Sequence, residues 1–466
     1  MRGSRNRYRL LFAVVIVLSG AGLAVGYTTS NGGYASGGLA HAAREAAQAR
    51  SHERLVPPRP RVTVITTDSN TWLGRRSQGP KADAELMAFD PNGSVLYYND
   101  SHTRYWGIDP SVPGWYTVMY TAADSLSKSA CHATTVCTRD VVETVNLSTG
   151  RVRRLYSQIT PYKESSRWHD AEYLDANHVV VADIYRDRVF VVNTSSDLVT
   201  WAWDAQTDFN LSSGGPFPRD WTHINDVDVF PDGRIMVSVR NQDEVVFLNR
   251  TTGLEANWTL GRVGDRAILF AQHNPDYIPP AHGGPAVVVA DSQNDRAVEY
   301  QRTANGTWQR TWTWTDGRMQ WPRAAHRLPN GNTLITDSNG NRVFEVNRSG
   351  AVVWSVDVAF PFDAVRLGVG RDSAEGPSAT RAGLVSHLGG RRTTGGRGHP
   401  TLLSSLLLDV KRRLHGPVFS GLVYVMPAWF GPIDLLDLVV GLLAALAWVV
   451  AEVRWSSVTL GRHRGR

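Results

Sequence analysis

The sequence predicts an all-β fold, a six-bladed β-propeller, with a transmembrane helix near each end of the chain. Three observations support this prediction. An imperfect repeat of about 50 residues runs through the middle of the 466-residue chain, each copy contains short apolar runs separated by turn residues, and an apolar run flanked by arginines lies near each terminus. Four strand-like runs per copy of such a repeat are typical of a propeller blade.

The repeat is clearest between residues 168 and 347. Each copy begins with an aromatic residue and a histidine, turns at a sequence such as PDG (231–233) or PNG (329–331), and continues through two apolar runs to a Trp-rich run. The turn sequences favour tight reversals, and the apolar runs have the length of strands. The four clear copies cover residues 168–193, 221–249, 271–300 and 321–347.

Residues 61–165 are expected to hold two more divergent copies. They contain the runs VTVIT, ELMAF and VLYYN, followed by WYTVMY and VVETVNL. A stretch of about 310 residues at about 50 residues per blade corresponds to six blades. The predicted propeller domain therefore spans residues 61–370.

The flanking segments predict a membrane anchor at each end. Leu10 to Tyr27 is a nearly unbroken apolar run behind four arginines, and Leu435 to Val450 is a second one followed by arginines. Such flanks favour cytoplasmic ends. The expected order is a basic tail (1–9), a transmembrane helix or signal anchor (10–27), a linker (28–60), then, after the propeller, a Gly/Arg/Ser-rich linker (371–400), an interfacial segment (401–431), a transmembrane helix (432–453) and a basic tail (454–466).

This topology places the propeller on the extracytoplasmic side of a cell membrane and both termini in the cytoplasm. A cleaved signal peptide at the N-terminus and a surface-lying C-terminal helix are the alternatives. Cys131 and Cys137 are the two cysteines of the chain, and an oxidising compartment would allow them to close a small loop by a disulfide bond.

The charge distribution argues against a nucleic-acid partner. The net charge of the chain is +6, but residues 61–372 contain 30 basic and 36 acidic side chains, so the basic excess lies in the tails. A nucleic-acid surface requires a basic patch on the folded part of the protein. The tails are better explained by membrane topology.

Histidines recur at the same place in the four clear copies. His169, His223, His273 and His326 are separated by 54, 50 and 53 residues. Because the innermost strand of each blade lines the central channel, we expect the four side chains to converge on the axis at one level.

Arg240 ends the apolar run IMVSV and is expected at the same end of its blade as the histidines. A guanidinium at this place can bind a tetrahedral anion through paired hydrogen bonds. The alternative is a surface ion pair with Asp243 or Glu244.

Four motifs resemble those of a known family. The strings WHDAEYL (168–174), DWTHINDVDV (220–229), IMVSVRNQDEV (235–245) and QHNP (272–275) resemble segments of the bacterial and archaeal arylsulfate sulfotransferases, over roughly residues 61 to 360. Members of that family are six-bladed propellers that transfer a sulfuryl group without 3′-phosphoadenosine-phosphosulfate (PAPS).

The resemblance implies a role for each matching residue. In the family, one histidine is transiently sulfated, an arginine and two further histidines bind the sulfate oxygens, and an asparagine supports them. By local motif, the nucleophile is His273, the anion-binding guanidinium is Arg240, the adjacent binders are His223 and Asn225, a further stabiliser is His169, and additional substrate-binding candidates are His326 and Asn339.

The implied reaction needs an aryl sulfate donor and a phenolic acceptor, with no cofactor and no metal ion. Two alternatives follow from the same residues. One is a non-catalytic, membrane-anchored propeller that binds an anionic ligand, a glycan or a protein. The other is a metal-dependent lactonase or lyase, in which the histidines hold an ion together with Asp170, Asp226 or Asp228.

Overall fold

The computed structural model describes residues 2–30, 38–68, 84–110, 116–132, 137–161, 167–369, 373–388, 421 and 432–463. The chain divides into two units, one made of residues 1–38 and 426–466 and the other of residues 39–425. The α-helices with described bounds are α1 (Arg2–Ser30), α2 (Gly38–Ala49), α3 (Ala379–Ala382) and α4 (Pro432–His463). The predicted interfacial segment, 401–431, lies outside the described residues except for residue 421.

The larger unit is the predicted six-bladed propeller. Its described strands are, in chain order, β1 (Thr63–Thr67), β2 (Leu86–Phe89), β3 (Val95–Asn99), β4 (Arg104–Asp109), β5 (Thr117–Leu126), β6 (Cys137–Asn146), β7 (Arg151–Thr160), β8 (Trp168–Asp175), β9 (His178–Asp183), β10 (Arg188–Asn193), β11 (Leu198–Asp204), β12 (Ile224–Val229), β13 (Ile235–Val239), β14 (Glu244–Asn249), β15 (Gly253–Leu254), β16 (Leu260–Gly261), β17 (His273–Ile278), β18 (Ala286–Asp291), β19 (Arg296–Arg302), β20 (Trp308–Thr315), β21 (Pro322–Arg327), β22 (Thr333–Asp337), β23 (Arg342–Val346), β24 (Val352–Asp357), β25 (Pro361–Arg366) and β26 (His387–Leu388).

Blades 2 to 6 each take their first four strands consecutively from the chain. They are β4–β7, β8–β11, β12–β15, β17–β20 and β21–β24, with β16 added beside β14 and β26 beside β20. Blade 1 joins the two ends of the propeller, because β25 pairs with β1 in the order β25-β1-β2-β3. Thr63 to Thr66 lie opposite Arg366 to Asp363 in this pairing. The ring is therefore closed by strands about 300 residues apart in sequence.

Apolar layers between neighbouring blades form the core. Val180 and Val191 of blade 3 share one buried cluster with Val237 and Val246 of blade 4. Strands such as AVVVAD in β18 are buried at every position, because a blade packs against a neighbour on both faces. Each valine removed from water in this way stabilises the fold by roughly 1.5–3 kcal/mol.

The turns predicted from PDG and PNG are present. Gly233 and Gly331 adopt φ angles of 82° and 83°, a left-handed conformation that costs glycine little and other residues more. These reversals connect the first and second strands of blades 4 and 6.

Residues 39–60 of the N-terminal segment expected as a linker, 28–60, are folded onto the propeller, so this expectation was wrong for that part. Ala43 of α2 is buried in a cluster with residues of blades 1 and 6. Arg54 forms an isolated β-bridge with Ser94, and the indole of Trp354 donates to the Pro57 carbonyl at 2.9 Å. Burial of small apolar side chains and these hydrogen bonds explain the order.

The same correction applies to part of the predicted linker 371–400. Residues 373–388, which we call the C-terminal strap, contain α3 and β26, and β26 pairs in parallel with β20. His387 stacks on Trp314 with ring centroids 5.4 Å apart. The Ala379 N–H at the start of α3 donates to Glu299 at 2.8 Å. The strap therefore covers buried polar and aromatic groups of blade 5.

The smaller unit consists of α1 and α4. The windows Arg5–Gly26 and Asp434–Ser456 are each long and apolar enough to cross a membrane. The helices pack antiparallel, because Arg9 pairs with Glu452 at 2.5 Å near one end and Gly26 lies against Asp434 near the other. Phe12 stacks on Trp448, with ring centroids 6.4 Å apart.

Candidate active site

The topology of each blade brings two kinds of residue to the same end of the propeller axis. Innermost strands begin there, and second strands end there, because the two are antiparallel neighbours. In blade 4, for example, Ile224 at the start of β12 lies opposite Val239 at the end of β13. Residues at the start of an innermost strand therefore meet residues that follow a second strand.

A β-bulge interrupts the pairing of the innermost and second strands in blades 2 to 6. Register shifts fall between Trp168 and Ala171 in blade 3 and between His273 and Asp276 in blade 5. A bulge places an extra residue in one strand and changes the direction of its side chain. His169 and Asn274 lie within these bulges, at the axis end of their strands.

Three of the predicted histidines converge around the axis. The rings of His169 and His223 lie 5.3 Å apart, centroid to centroid, and those of His223 and His273 lie 6.4 Å apart. Phe362 of blade 1 contacts His169 at 5.1 Å, and Trp321 contacts His273 at 6.1 Å. All three histidines are buried. We call His169, His223 and His273 the imidazole cluster.

Arg240 directly follows β13, and one of its hydrogen-bond donors has no described acceptor. Its Nη1 donates to Asn241 Oδ1 at 2.7 Å, whereas its Nε is buried and has no hydrogen-bond partner among the described residues. The alternative ion pair of Arg240 with Asp243 or Glu244 is not present among the described contacts, and both carboxylates accept backbone N–H groups instead. Asp243 accepts from the Ala271 N–H at 2.9 Å and Glu244 from the Val263 N–H at 3.1 Å. An unused guanidinium donor in a buried site favours an anionic ligand.

Burial and nearby positive charge keep the imidazole cluster neutral. Burial lowers the pKa of His273 well below its usual value, and the charges of Arg240 and Arg323 lower it further. Burial also lowers the pKa of His169, with added repulsion from His223 and Arg167. A neutral imidazole retains the lone pair that a nucleophile or a base needs.

Hydrogen bonds determine which nitrogen of His273 carries its proton. The Ser292 hydroxyl donates to the Pro322 carbonyl at 2.7 Å, so its oxygen is left to accept from His273 Nδ1 at 2.8 Å. The proton of the neutral ring is then on Nδ1, and the lone pair is on Nε2. His273 therefore presents Nε2 as its nucleophilic atom.

Asn225 supports the backbone beside His273. Its Nδ2 donates to the carbonyl of Gln272 at 2.9 Å. Its Oδ1 is buried without a hydrogen-bond partner among the described residues. The side chain therefore ties blade 4 to the start of β17 in blade 5.

The sequence matches models of a known protein family. Two models of the arylsulfotransferase (ASST) family match the chain, over residues 77–267 and 203–359. The chain belongs to the arylsulfotransferase family. It is a PAPS-independent aryl sulfotransferase. His169 lies in the first match alone and His273 in the second alone, whereas His223, Asn225 and Arg240 lie in both.

No curated protein matches this arylsulfotransferase. Solved structures with a similar chain path include the periplasmic gluconolactonase PpgL of Pseudomonas aeruginosa, with 13% identity, a TM-score of 0.41, and coverage of 66% of this chain and 99% of that one. A Bacteroides caccae protein of unknown function has 10% identity, a TM-score of 0.44, and coverage of 66% and 99%. Virginiamycin B lyase from Staphylococcus aureus has 10% identity, a TM-score of 0.35, and coverage of 54% and 69%.

His326 does not join the imidazole cluster of this arylsulfotransferase, so the expectation of four histidines at one level was wrong. It lies three residues further along its strand than Arg323, which lies within the bulge of β21. Its nitrogens contact Asp276 at 2.7 Å and Asp363 at 2.9 Å. Burial alone would lower the pKa of His326. The charges of Asp276 and Asp363 and their hydrogen bonds to its two nitrogens outweigh burial and raise the pKa well above its usual value.

Asn339 lies on the hairpin that follows β22, beside the axis end of blade 6. Its backbone N–H donates to the Gln320 carbonyl at 3.0 Å. This hairpin corresponds to the one that carries Arg240 in blade 4. Substrate binding by Asn339 stays a prediction.

Carboxylates line the axis further along the innermost strands. Burial raises the pKa of Asp170 well above its usual value, and the charges of Asp363 and Asp109 add to this effect. Within the described part of the chain, no group of three or more His, Cys, Asp or Glu side chains is arranged to hold a metal ion.

Sequence reasoning missed several residues of this arylsulfotransferase site. Arg323 stacks on Phe362 at 4.7 Å and also pairs with Asp68 at 3.2 Å. Asp220 contacts His223, and Ser292 contacts His273. His326 lies three residues after Arg323, as Asp276 lies three residues after His273, so Arg323 rather than His326 occupies the histidine position in blade 6.

Proposed function

We propose that this chain transfers a sulfuryl group from an aryl sulfate ester to a phenolic acceptor through a sulfohistidine on His273. The observation that carries the proposal is the neutral imidazole of His273, which engages Ser292 through Nδ1 and leaves Nε2 as its nucleophilic atom, near the positive charge of Arg240. Arg240 is the strongest electrostatic influence on the His273 pKa after burial. Its Nε lacks a partner among the described residues.

In the first half-reaction, the lone pair of His273 Nε2 forms a bond to sulfur. The bond between sulfur and the aryl oxygen breaks, and its electron pair leaves with the phenolate. Sulfuryl transfer resembles phosphoryl transfer in placing charge on peripheral oxygens and on the leaving oxygen. Arg240 would bind the peripheral oxygens, and a fixed buried donor is worth more there than in water.

In the second half-reaction, an acceptor oxygen attacks sulfur, and the N–S bond returns its electron pair to His273 Nε2. The ring regains its original neutral form, because the proton on Nδ1 stays with the hydrogen bond to Ser292 throughout. The reaction is thus a ping-pong cycle, with donor and acceptor using one site in turn.

Steady-state kinetics test this proposal. With 4-nitrophenyl sulfate as donor and phenol as acceptor, we expect parallel double-reciprocal plots and unchanged turnover after treatment with a chelator. Intersecting plots would contradict the covalent intermediate, because they require both substrates to be bound together. Hydrolysis that a chelator abolishes would instead support a metal-dependent propeller.

We also propose that α1 and α4 anchor the chain, with the propeller on the extracytoplasmic side and both termini in the cytoplasm. The antiparallel pairing of the helices supports termini on one side, and the arginines at positions 2, 5, 7 and 9 support a cytoplasmic location for them. The Cys131–Cys137 disulfide supports an oxidising compartment for the propeller.

Protease protection in sealed, right-side-out cells tests this topology. Protease added outside the cells should cleave the propeller or the segments that join it to α1 and α4, and should spare epitope tags at both termini. Cleavage of either tag, or recovery of the propeller free of the membrane after alkaline extraction, would contradict it.

A further inference from the structure

We propose that Asp220 and His223 form a proton-transfer dyad that removes the proton of the phenolic acceptor. This inference rests on the proposed sulfohistidine cycle and assigns a step that neither Arg240 nor His273 can perform. An attacking phenol must lose its proton, and Arg240 remains charged while His273 Nε2 is occupied by sulfur.

The geometry of the pair is that of a base held by a carboxylate. His223 Nδ1 lies 2.6 Å from Asp220 Oδ1. Burial alone would raise the Asp220 pKa, but contact with His223 and the charge of Arg240 lower it below its usual value. The ionised carboxylate can only accept a hydrogen bond, so His223 donates from Nδ1 and holds its lone pair on Nε2.

Three anchors fix Asp220 at the edge of the site. The buried Trp221 donates from its indole to the Ser213 carbonyl at 2.7 Å. Asn241, next to Arg240, donates to the Asp220 carbonyl at 2.6 Å. The Thr222 N–H donates to Asp187 at 2.9 Å. The carboxylate is therefore presented to His223 by a loop that is tied to blades 3 and 4.

His223 is poised as a base in the resting protein. Burial lowers its pKa and the charge of Arg240 lowers it further, while Asp220 acts in the opposite direction and offsets part of the effect. The net direction is downward, so the ring is neutral before substrate arrives. Once it accepts a proton, the adjacent Asp220 carboxylate stabilises the imidazolium.

The other two imidazoles lack this arrangement. Both nitrogens of His169 are buried without a hydrogen-bond partner among the described residues, and His273 pairs with the neutral Ser292 hydroxyl. His223 lies between them, 6.4 Å from His273 by ring centroids. It therefore adjoins the sulfur carried by His273.

The acceptor O–H gives its proton to His223 Nε2, the oxygen forms a bond to sulfur, and the N–S bond breaks toward His273 Nε2. By microscopic reversibility, protonated His223 gives that proton to the leaving aryl oxygen of the next donor, which matters most when the leaving phenolate is strongly basic.

Single-turnover measurements on the full chain test the dyad. The sulfated protein is first formed with 4-nitrophenyl sulfate, whose leaving group needs no proton, and is then mixed with phenol. We expect Asp220→Asn to slow transfer to phenol about 100-fold or more near neutral pH, and to slow formation of the sulfated protein much less. The loss should shrink as pH rises toward the phenol pKa, because phenolate needs no base.

Two further variants make the result specific. Asp175→Asn breaks a pair with His178 of the same three-residue spacing, at 2.9 Å, outside the site, and should leave both half-reactions unchanged. Asp220→Glu retains the charge and should restore part of the transfer rate. Circular dichroism of each variant checks folding.

The outcomes separate the dyad from the cycle on which it rests. Equal losses in both half-reactions of Asp220→Asn, or no recovery at high pH, would overturn the proton-transfer role and leave the sulfohistidine cycle intact. Absence of a sulfated intermediate in the unaltered protein would overturn the cycle itself.

Discussion

At the scale of single residues, the site depends on which atom of each side chain is left unengaged. His273 donates from Nδ1 to Ser292 and Arg240 donates from Nη1 to Asn241. Arg240 Nε, Asn225 Oδ1 and both ring nitrogens of His169 are buried without a hydrogen-bond partner among the described residues. Buried polar atoms without partners are costly in a folded protein. Their presence together at one place is therefore a mark of ligand binding rather than of stability.

Ser292→Ala should slow sulfation of His273 about 10-fold or more, because the ring loses the acceptor that holds its proton on Nδ1. Ser338→Ala is the matched control, since Ser338 donates to the Pro361 carbonyl at 2.6 Å in the same way but has no hydrogen bond to a histidine in the described part of the chain. The 4-nitrophenol burst measures the rate of this half-reaction. Equal effects of the two substitutions would show that the serine acts on blade packing alone.

Arg240→Gln should slow sulfation about 100- to 1,000-fold, because the charged donor to the transferring group is lost. It should also move the acid limb of the pH profile to higher pH. Removing a positive charge raises the His273 pKa, and the nucleophile is lost as pH falls through that pKa. The burst rate measured from pH 4 to 8 checks both effects. An acid limb that stays in place or moves to lower pH would contradict this account.

At the scale of elements, one hairpin position repeats between blades. Asp187, Asp243, Asp295 and Asn341 each follow a second strand with a φ angle near 50°. Each side chain accepts a backbone N–H at the entrance to the next blade, from Thr222, Ala271, Trp321 and Phe360. These hairpin latches hold the start of the innermost strands, and thus the level of the imidazole cluster.

Asp295→Ala should lower the free energy of unfolding by about 2 kcal/mol, because it removes the bond to the Trp321 N–H and leaves alanine in a left-handed conformation. Asp295→Asn should cost much less, since asparagine accepts the same bond and tolerates this conformation, as Asn341 does in blade 6. Urea denaturation measures both. Equal losses for the two variants would rule out the latch.

The histidine spacing predicted three of the four side-chain positions and failed at blade 6. Spacing in sequence counts residues, whereas position at the axis depends on where the innermost strand and its bulge begin. Arg323 lies within the bulge between Pro322 and Ala324, so His326 falls one level lower, between two carboxylates. Local sequence does not specify such a bulge.

At the scale of the whole molecule, the repeat was sufficient to predict six blades, because each blade is one copy of about 50 residues. It could not predict how the ring closes, since the pairing of β1 with β25 joins segments outside the clear copies. The C-terminal strap was missed because its Gly- and Ser-containing composition is typical of linkers. Its order comes from tertiary contacts with Trp314 and Glu299.

The measurement that tests the central claim most directly is the intact mass of the full chain after brief exposure to 4-nitrophenyl sulfate. We predict a covalent adduct of one SO3 group that maps to His273, disappears when phenol is added, and is absent from His273→Ala. His178→Ala, a change at a surface histidine outside the site, should still form it. An adduct that persists in His273→Ala, or that maps to another residue, would contradict the account.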